Sequence, residues 1–114
     1  MAKVLLSSIA PKPLIDGYLA RFVHTENMTF SFVDVEAGKR LPEHSHVHEQ
    51  VSIMLEGEFE LVIDGEPVRF VPGQLVVIPS NAKHSGLAIT DCKLLDVFYP
   101  VREDYRKLSQ TGEA

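Results

Sequence analysis

A chain of 114 residues with 45% apolar and 24% charged positions has the length of one ordinary domain and enough apolar content to bury a core. Its net charge of −5, with Lys and Arg scattered, argues against a nucleic-acid partner, which would meet a clustered basic face. No apolar run approaches the roughly 20 residues that cross a bilayer, and the single cysteine, Cys92, cannot close an internal disulfide, so the expectation is a cytoplasmic protein without membrane contact.

Taken in chain order, short alternating or β-branched stretches predict strands over 18–23, 28–36, 46–56, 59–63, 68–70, 74–78, 84–88 and 94–99. Pro42, Pro72, Pro79 and Pro100 are read as strand ends, because proline donates nothing to a ladder. Asp64-Gly65 predicts a two-residue type I′ hairpin turn, which needs positive φ at both positions. Cys92 is placed in a turn beside Asp91 and Lys93, and helical character is confined to the tail, 102–110. The pattern is all-β, and closure into a sandwich or barrel removes exposed edges.

The informative segment runs from Gly38 to Gly57 and holds His44, His46, His48 and Gln50. On one uninterrupted strand these four would share a face, because side chains alternate with period two. Imidazoles that converge in this way are ligands for Zn, Cu, Fe or Ni, and an amide oxygen can complete such a site. His84 lies in a second hairpin and adds a further imidazole. For His48 two readings stand: a bulge turns it outward, or it orients a ligand or substrate from behind.

These residues resemble the cupin family. The pattern G-x5-H-x-H-x3-E-x6-G matches Gly38, His44, His46, Gln50 and Gly57, with Gln50 where the family has Glu. The pattern G-x5-P-x-G-x2-H matches Gly73, Pro79, Asn81 and His84; Asn81 replaces Gly, and Ala88 stands where the pattern closes on Asn. The resemblance implies a single cupin domain over 1–114, a jelly-roll barrel with its core near 28–100 and a short helical tail. It also implies one divalent metal ion (Ni, Zn, Fe, Mn or Co) held by His44, His46, Gln50 and His84. With four neutral ligands, that site favours Lewis-acid work over redox chemistry.

The run from Leu94 to Tyr105, together with the His-rich segment, is similar to the KdgF group of small cupins, which act on unsaturated uronic acids cut from pectin or alginate. That resemblance implies catalytic roles for Asp96, Phe98 and Arg102, and conversion of 4,5-unsaturated uronate monosaccharides to open-chain keto acids. Period two independently puts Leu94, Asp96 and Phe98 on one face, where Asp96 either pairs with Arg102 or a histidine or has its protonation tuned for chemistry. Arg102 is suited to a substrate carboxylate, and otherwise to a surface salt bridge; Phe98 lies against a sugar ring or is simply core. The alternatives are a metal cupin of another class, such as a dioxygenase or isomerase, and a non-catalytic ligand-binding cupin. Val51, Ile53 and Leu55, on the opposite face, need cover from a second sheet, the N-terminal strands or a partner, and a homodimer is expected.

Overall fold

The computed structural model describes residues 2–110. After a short 3-10 turn at Leu6–Ser8 come the strands β1 (Lys12–Ile15), β2 (Tyr18–His24), β3 (Thr29–Val35), β4 (Arg40–His44) and β5 (Glu49–Glu56). They are followed by β6 (Phe59–Ile63), β7 (Glu66–Phe70), β8 (Leu75–Ile78), β9 (His84–Ala88), β10 (Cys92–Tyr99) and the helix α1 (Glu103–Gln110). All pairings are antiparallel, in a six-stranded sheet of order β1-β2-β3-β10-β5-β8 and a four-stranded sheet of order β4-β9-β6-β7. From β3 onward the chain passes repeatedly between the sheets, the jelly-roll solution to the edge problem. No described helix is long and apolar enough to cross a membrane.

Alternation builds the core. Tyr18, Ala20 and Phe22 of β2, Val33 and Val35 of β3, and Met54 and Leu94 point inward from the larger sheet, where they meet Phe59, Leu61, Phe70 and Ala88 of the smaller one. Burying each large side chain contributes on the order of 1.5–3 kcal/mol. The turns follow their residues: Asp64 and Gly65 take φ of 48° and 83°, and Asn81 takes 66°, a conformation that Asn tolerates better than most residues. At Gly57, with φ of 90°, an added Cβ would run into the carbonyl oxygen of Asp91, so both the backbone angle and the space require glycine.

Three expectations are corrected. Residues 46–56 are not one strand: β4 ends at His44, 45–48 form a bend, and β5 starts at Glu49, so period two does not align His44, His46, His48 and Gln50. Pro42 lies inside β4 rather than at its end, tolerated because β4 is an edge strand whose register shifts between Leu41 and His44. Cys92 opens β10 instead of occupying a turn, and its buried thiol faces the carbonyls of Glu58 and Thr90 at 3.1 Å. Two strands, β1 and β4, have no counterpart among the predicted elements, because neither alternates clearly in sequence.

Candidate metal centre

His44 pairs with His84 across β4 and β9, and the bend at 45–48 brings His46 over the same point. That bend is pinned to the second motif: the Asn81 N–H donates to the His46 carbonyl at 2.8 Å, and the Ser80 hydroxyl donates to the Val47 carbonyl. The positive φ of Asn81 thus serves to dock one histidine beside another. One nitrogen from each of His44, His46 and His84 lies within 4.8 Å of the other two.

The tautomers follow from the acceptors. Nδ1 of His44 lies 2.9 Å from the Pro42 carbonyl, Nδ1 of His46 lies 3.0 Å from that of His48, and Nδ1 of His84 lies 2.9 Å from that of Ala82. A carbonyl only accepts, so each Nδ1 carries the proton and each Nε2 presents a lone pair. Nε2 of His84 is buried without a hydrogen-bond partner. An orphaned buried acceptor is costly by itself and is satisfied by an ion, so these residues fit a divalent metal. Burial, then the charges of Arg102 and His84, pulls the His46 pKa down to about 4, and burial also lowers that of His84. Both are therefore neutral at pH 7, as ligands must be.

Gln50, buried on β5, lies beside the cluster: its Oε1 is 3.2 Å from Nε2 of His46, and its Nε2 donates to the Ser52 hydroxyl at 3.0 Å. Ser52 in turn donates to Oδ1 of Asp96 at 2.7 Å. Asp96 therefore pairs with neither Arg102 nor a histidine; a hydroxyl and an amide link it to the histidine cluster. Burial pushes its pKa up to about 6, against the opposing pull of Ser52, Gln50 and Arg102.

Arg102 is buried, with 8% of its surface exposed, and forms a salt bridge to the exposed carboxylate of Asp104. Its Nε and Nη2 donate to the two carboxylate oxygens of Asp104 at 2.9 and 2.7 Å, and its guanidinium lies over the rings of Tyr105, at 3.9 Å, and Phe98, at 4.8 Å. Phe98 is buried, edge-on to His46, and serves as the platform for Arg102. A cavity of about 60 Å³ joins these groups, with Gln50, Ser52, His84, Asp96, Arg102 and Tyr105 on its wall. His48 is partly buried and lies outside the cluster of His44, His46 and His84; its carbonyl accepts from Nδ1 of His46, while its own Nδ1 is buried without a hydrogen-bond partner. Ser52, Asp104 and Tyr105 were not among the predicted site residues. Ser52 carried a signal, since it follows Gln50 at period two.

A family model described as a cupin domain matches residues 31–98. No curated protein sequence matches the chain. Among solved structures, KdgF from Halomonas sp. is similar with a TM-score of 0.86 and 25% identity, covering 92% of this chain and 98% of that one. An RmlC-like cupin from Shewanella frigidimarina has a TM-score of 0.84 and 24% identity, covering 90% and 93%. A salicylate 1,2-dioxygenase variant from Pseudoaminobacter salicylatoxidans has a TM-score of 0.73 and 22% identity over 78% of this chain but 28% of the longer enzyme. The last two likenesses concern the fold alone.

Proposed function

The chain belongs to the cupin family, and from that premise we propose that it is a metal-dependent enzyme that converts 4,5-unsaturated uronate monosaccharides to open-chain keto acids. One divalent ion would be held by His44, His46, Gln50 and His84. The observation that carries the reading is the placement of Asp96, joined to the ligand cradle through Gln50 and Ser52 and set on the same pocket wall as Arg102. The likeness to KdgF supports the substrate class.

The reaction is an isomerisation. The proton leaves the anomeric hydroxyl as the bond from that carbon to the ring oxygen breaks, which gives an aldehyde; the ring oxygen becomes the enol oxygen at C5, and a proton reaches C4 to give the ketone. When bound, the ion supplies Lewis-acid polarisation of substrate oxygens. Asp96, with a pKa near 6, takes and returns the proton close to neutral pH, a role that contributes about 10²–10⁴-fold. Asp104 occupies the Nε side of the Arg102 fork and Tyr105 takes a further side-chain hydrogen bond, so the sugar carboxylate would meet the part of the fork that these two leave open. The buried pocket makes these charges act in a low dielectric.

The same reading includes a homodimer. The turn at Leu6–Ser8 lies beside Leu55, yet Leu75 and Val77 on the same outer face are 54% and 51% exposed, and a second copy would cover them. Sedimentation showing a monomer at micromolar concentration would remove this part.

The test follows the loss of ultraviolet absorbance of unsaturated galacturonate and its alginate-derived counterpart, corrected for spontaneous opening. Acceleration is expected with the ion-loaded protein, with a loss of about 10²–10⁴-fold in Asp96→Asn. No acceleration on either sugar would overturn the substrate class; oxygen uptake would then indicate a dioxygenase, and binding without turnover a ligand-binding cupin.

A further inference from the structure

His24 closes β2, in register with Thr29, Phe98 and Gln50 across the larger sheet, and the proposed reaction makes no use of it. Its ring is partly buried, stacked on Phe22 at 5.9 Å, and both its nitrogens are engaged. Nδ1 lies 2.8 Å from the Thr29 hydroxyl, and Nε2 lies 3.1 Å from the Ser109 hydroxyl. Two further bonds fix the direction of the whole chain: the Arg102 N–H donates to the Thr29 oxygen at 2.9 Å, and the Ser109 hydroxyl donates to the Tyr105 carbonyl at 2.8 Å.

Ser109 has spent its proton on Tyr105, so it accepts from Nε2–H of His24; Nδ1 is then a bare acceptor and takes the Thr29 proton. The result is a directed sequence from Arg102 N–H through Thr29, His24 and Ser109 to the Tyr105 carbonyl. It ties the start, the middle and the end of the C-terminal segment to β2 and β3, and it requires a neutral imidazole with the proton on Nε2. Thr29 is fully buried, so its hydrogen bonds have no water to replace them.

The segment held in this way forms one wall of the pocket, through the side chains of Arg102 and Tyr105. The space of about 60 Å³ holds a few waters, whereas small-molecule sites run to about 300–1,000 Å³. The other walls are strands, each held in a sheet by a ladder on at least one side, while α1 is a single short helix packed on β2. α1 is therefore the wall with the fewest backbone ties to the rest of the pocket.

We propose that α1 is a movable cover over the metal pocket and that His24 is the positioning residue that returns Arg102 and Tyr105 to their places against the bound ligand. The proposal rests on the reading that Arg102 faces the substrate. It assigns His24 no contact with the reacting atoms.

The experiment uses the full chain loaded with Zn²⁺, as wild type, His24→Ala and His24→Gln, the last keeping an acceptor and a donor on one planar carbon. Amide hydrogen exchange is read over 103–110 and, separately, over β3 and β10; KM and kcat are read on the unsaturated uronates, and Zn²⁺ affinity by titration. In His24→Ala, exchange over 103–110 is expected to rise about tenfold and KM about tenfold, the equivalent of one lost hydrogen bond of about 1.4 kcal/mol. Zn²⁺ affinity, kcat and exchange in β3 and β10 stay within about threefold of wild type, and His24→Gln recovers most of the loss. Unchanged exchange over 103–110, or acceleration spread equally over β3 and β10, overturns the proposal. If the wild type turns over neither sugar, the substrate reading fails and the exchange pattern still decides whether His24 holds the cover.

Discussion

Nε2 of His46 and Oε1 of Gln50 face each other at 3.2 Å although neither atom carries a proton. The histidine has committed its proton to the His48 carbonyl, and the amide has turned its N–H toward Ser52 because the Ser52 hydroxyl is drawn to the Asp96 carboxylate. Two lone pairs aimed at one point repel unless a cation sits between them, and the bare Nε2 of His84 converges on the same cluster.

Ion binding is therefore expected to stabilise the fold. At an ion concentration 100 times Kd the gain is about 2.7 kcal/mol, or roughly 10 °C in Tm for a domain of this size. Calorimetry with and without chelator measures it, and His84→Ala should abolish the difference. A Tm indifferent to chelator in the wild type would count against the centre.

Ser52 makes no contact with an ion, yet it sets which end of the Gln50 amide faces His46. Ser52→Ala is expected to weaken Zn²⁺ binding by about 10–100-fold while leaving the circular dichroism spectrum unchanged. Titration of the variant against wild type reads this directly; equal affinities would show that Gln50 is oriented by something else.

Burial, with help from Arg106, lowers the His24 pKa below its ordinary 6.5, opposed by Glu103 and the Tyr105 carbonyl. The unfolded chain then binds the proton first as pH falls, so stability is complete above about 6.5 and declines below it, toward the lowered native value. Melting curves from pH 7.5 to 5.0 are expected to fall more steeply for wild type than for His24→Gln. Parallel slopes would remove His24 as the titrating group.

Arg102 owes its place to Asp104, whose own pKa is lowered mainly by that hydrogen bond. Asp104→Asn is expected to raise KM for a uronate several-fold with kcat nearly unchanged, because it frees the guanidinium to sample other positions without touching the ion cradle. Equal losses in kcat and kcat/KM would instead place Asp104 in the transition state.

Local chemistry was legible without coordinates. Period two set the inward face of β10, with Leu94, Asp96 and Phe98 together, and Asp64-Gly65 specified its turn, because both depend only on adjacent residues. The resemblance to the cupin patterns from Gly38 to Gly57 and from Gly73 to His84 implied the four ligand candidates, three of which the fold gathers as a histidine cluster beside Gln50. Period two failed at 45–48, where the strand breaks and the docking of Asn81 on His46, not alternation, aims the ring.

The partners were decided by tertiary structure alone. Arg102 bonds to Thr29 across 73 positions, His24 to Ser109 across 85, and Ser52 to Asp96 across 44. Such pairs depend on β10 lying between β3 and β5, an order fixed by burial of both sheets' apolar faces and not by any residue's neighbours in the chain. Sequence determined which imidazole, amide and carboxylate groups this protein carries; strand order determined which carbonyl, hydroxyl or carboxylate each one meets, and so its tautomer, charge and direction.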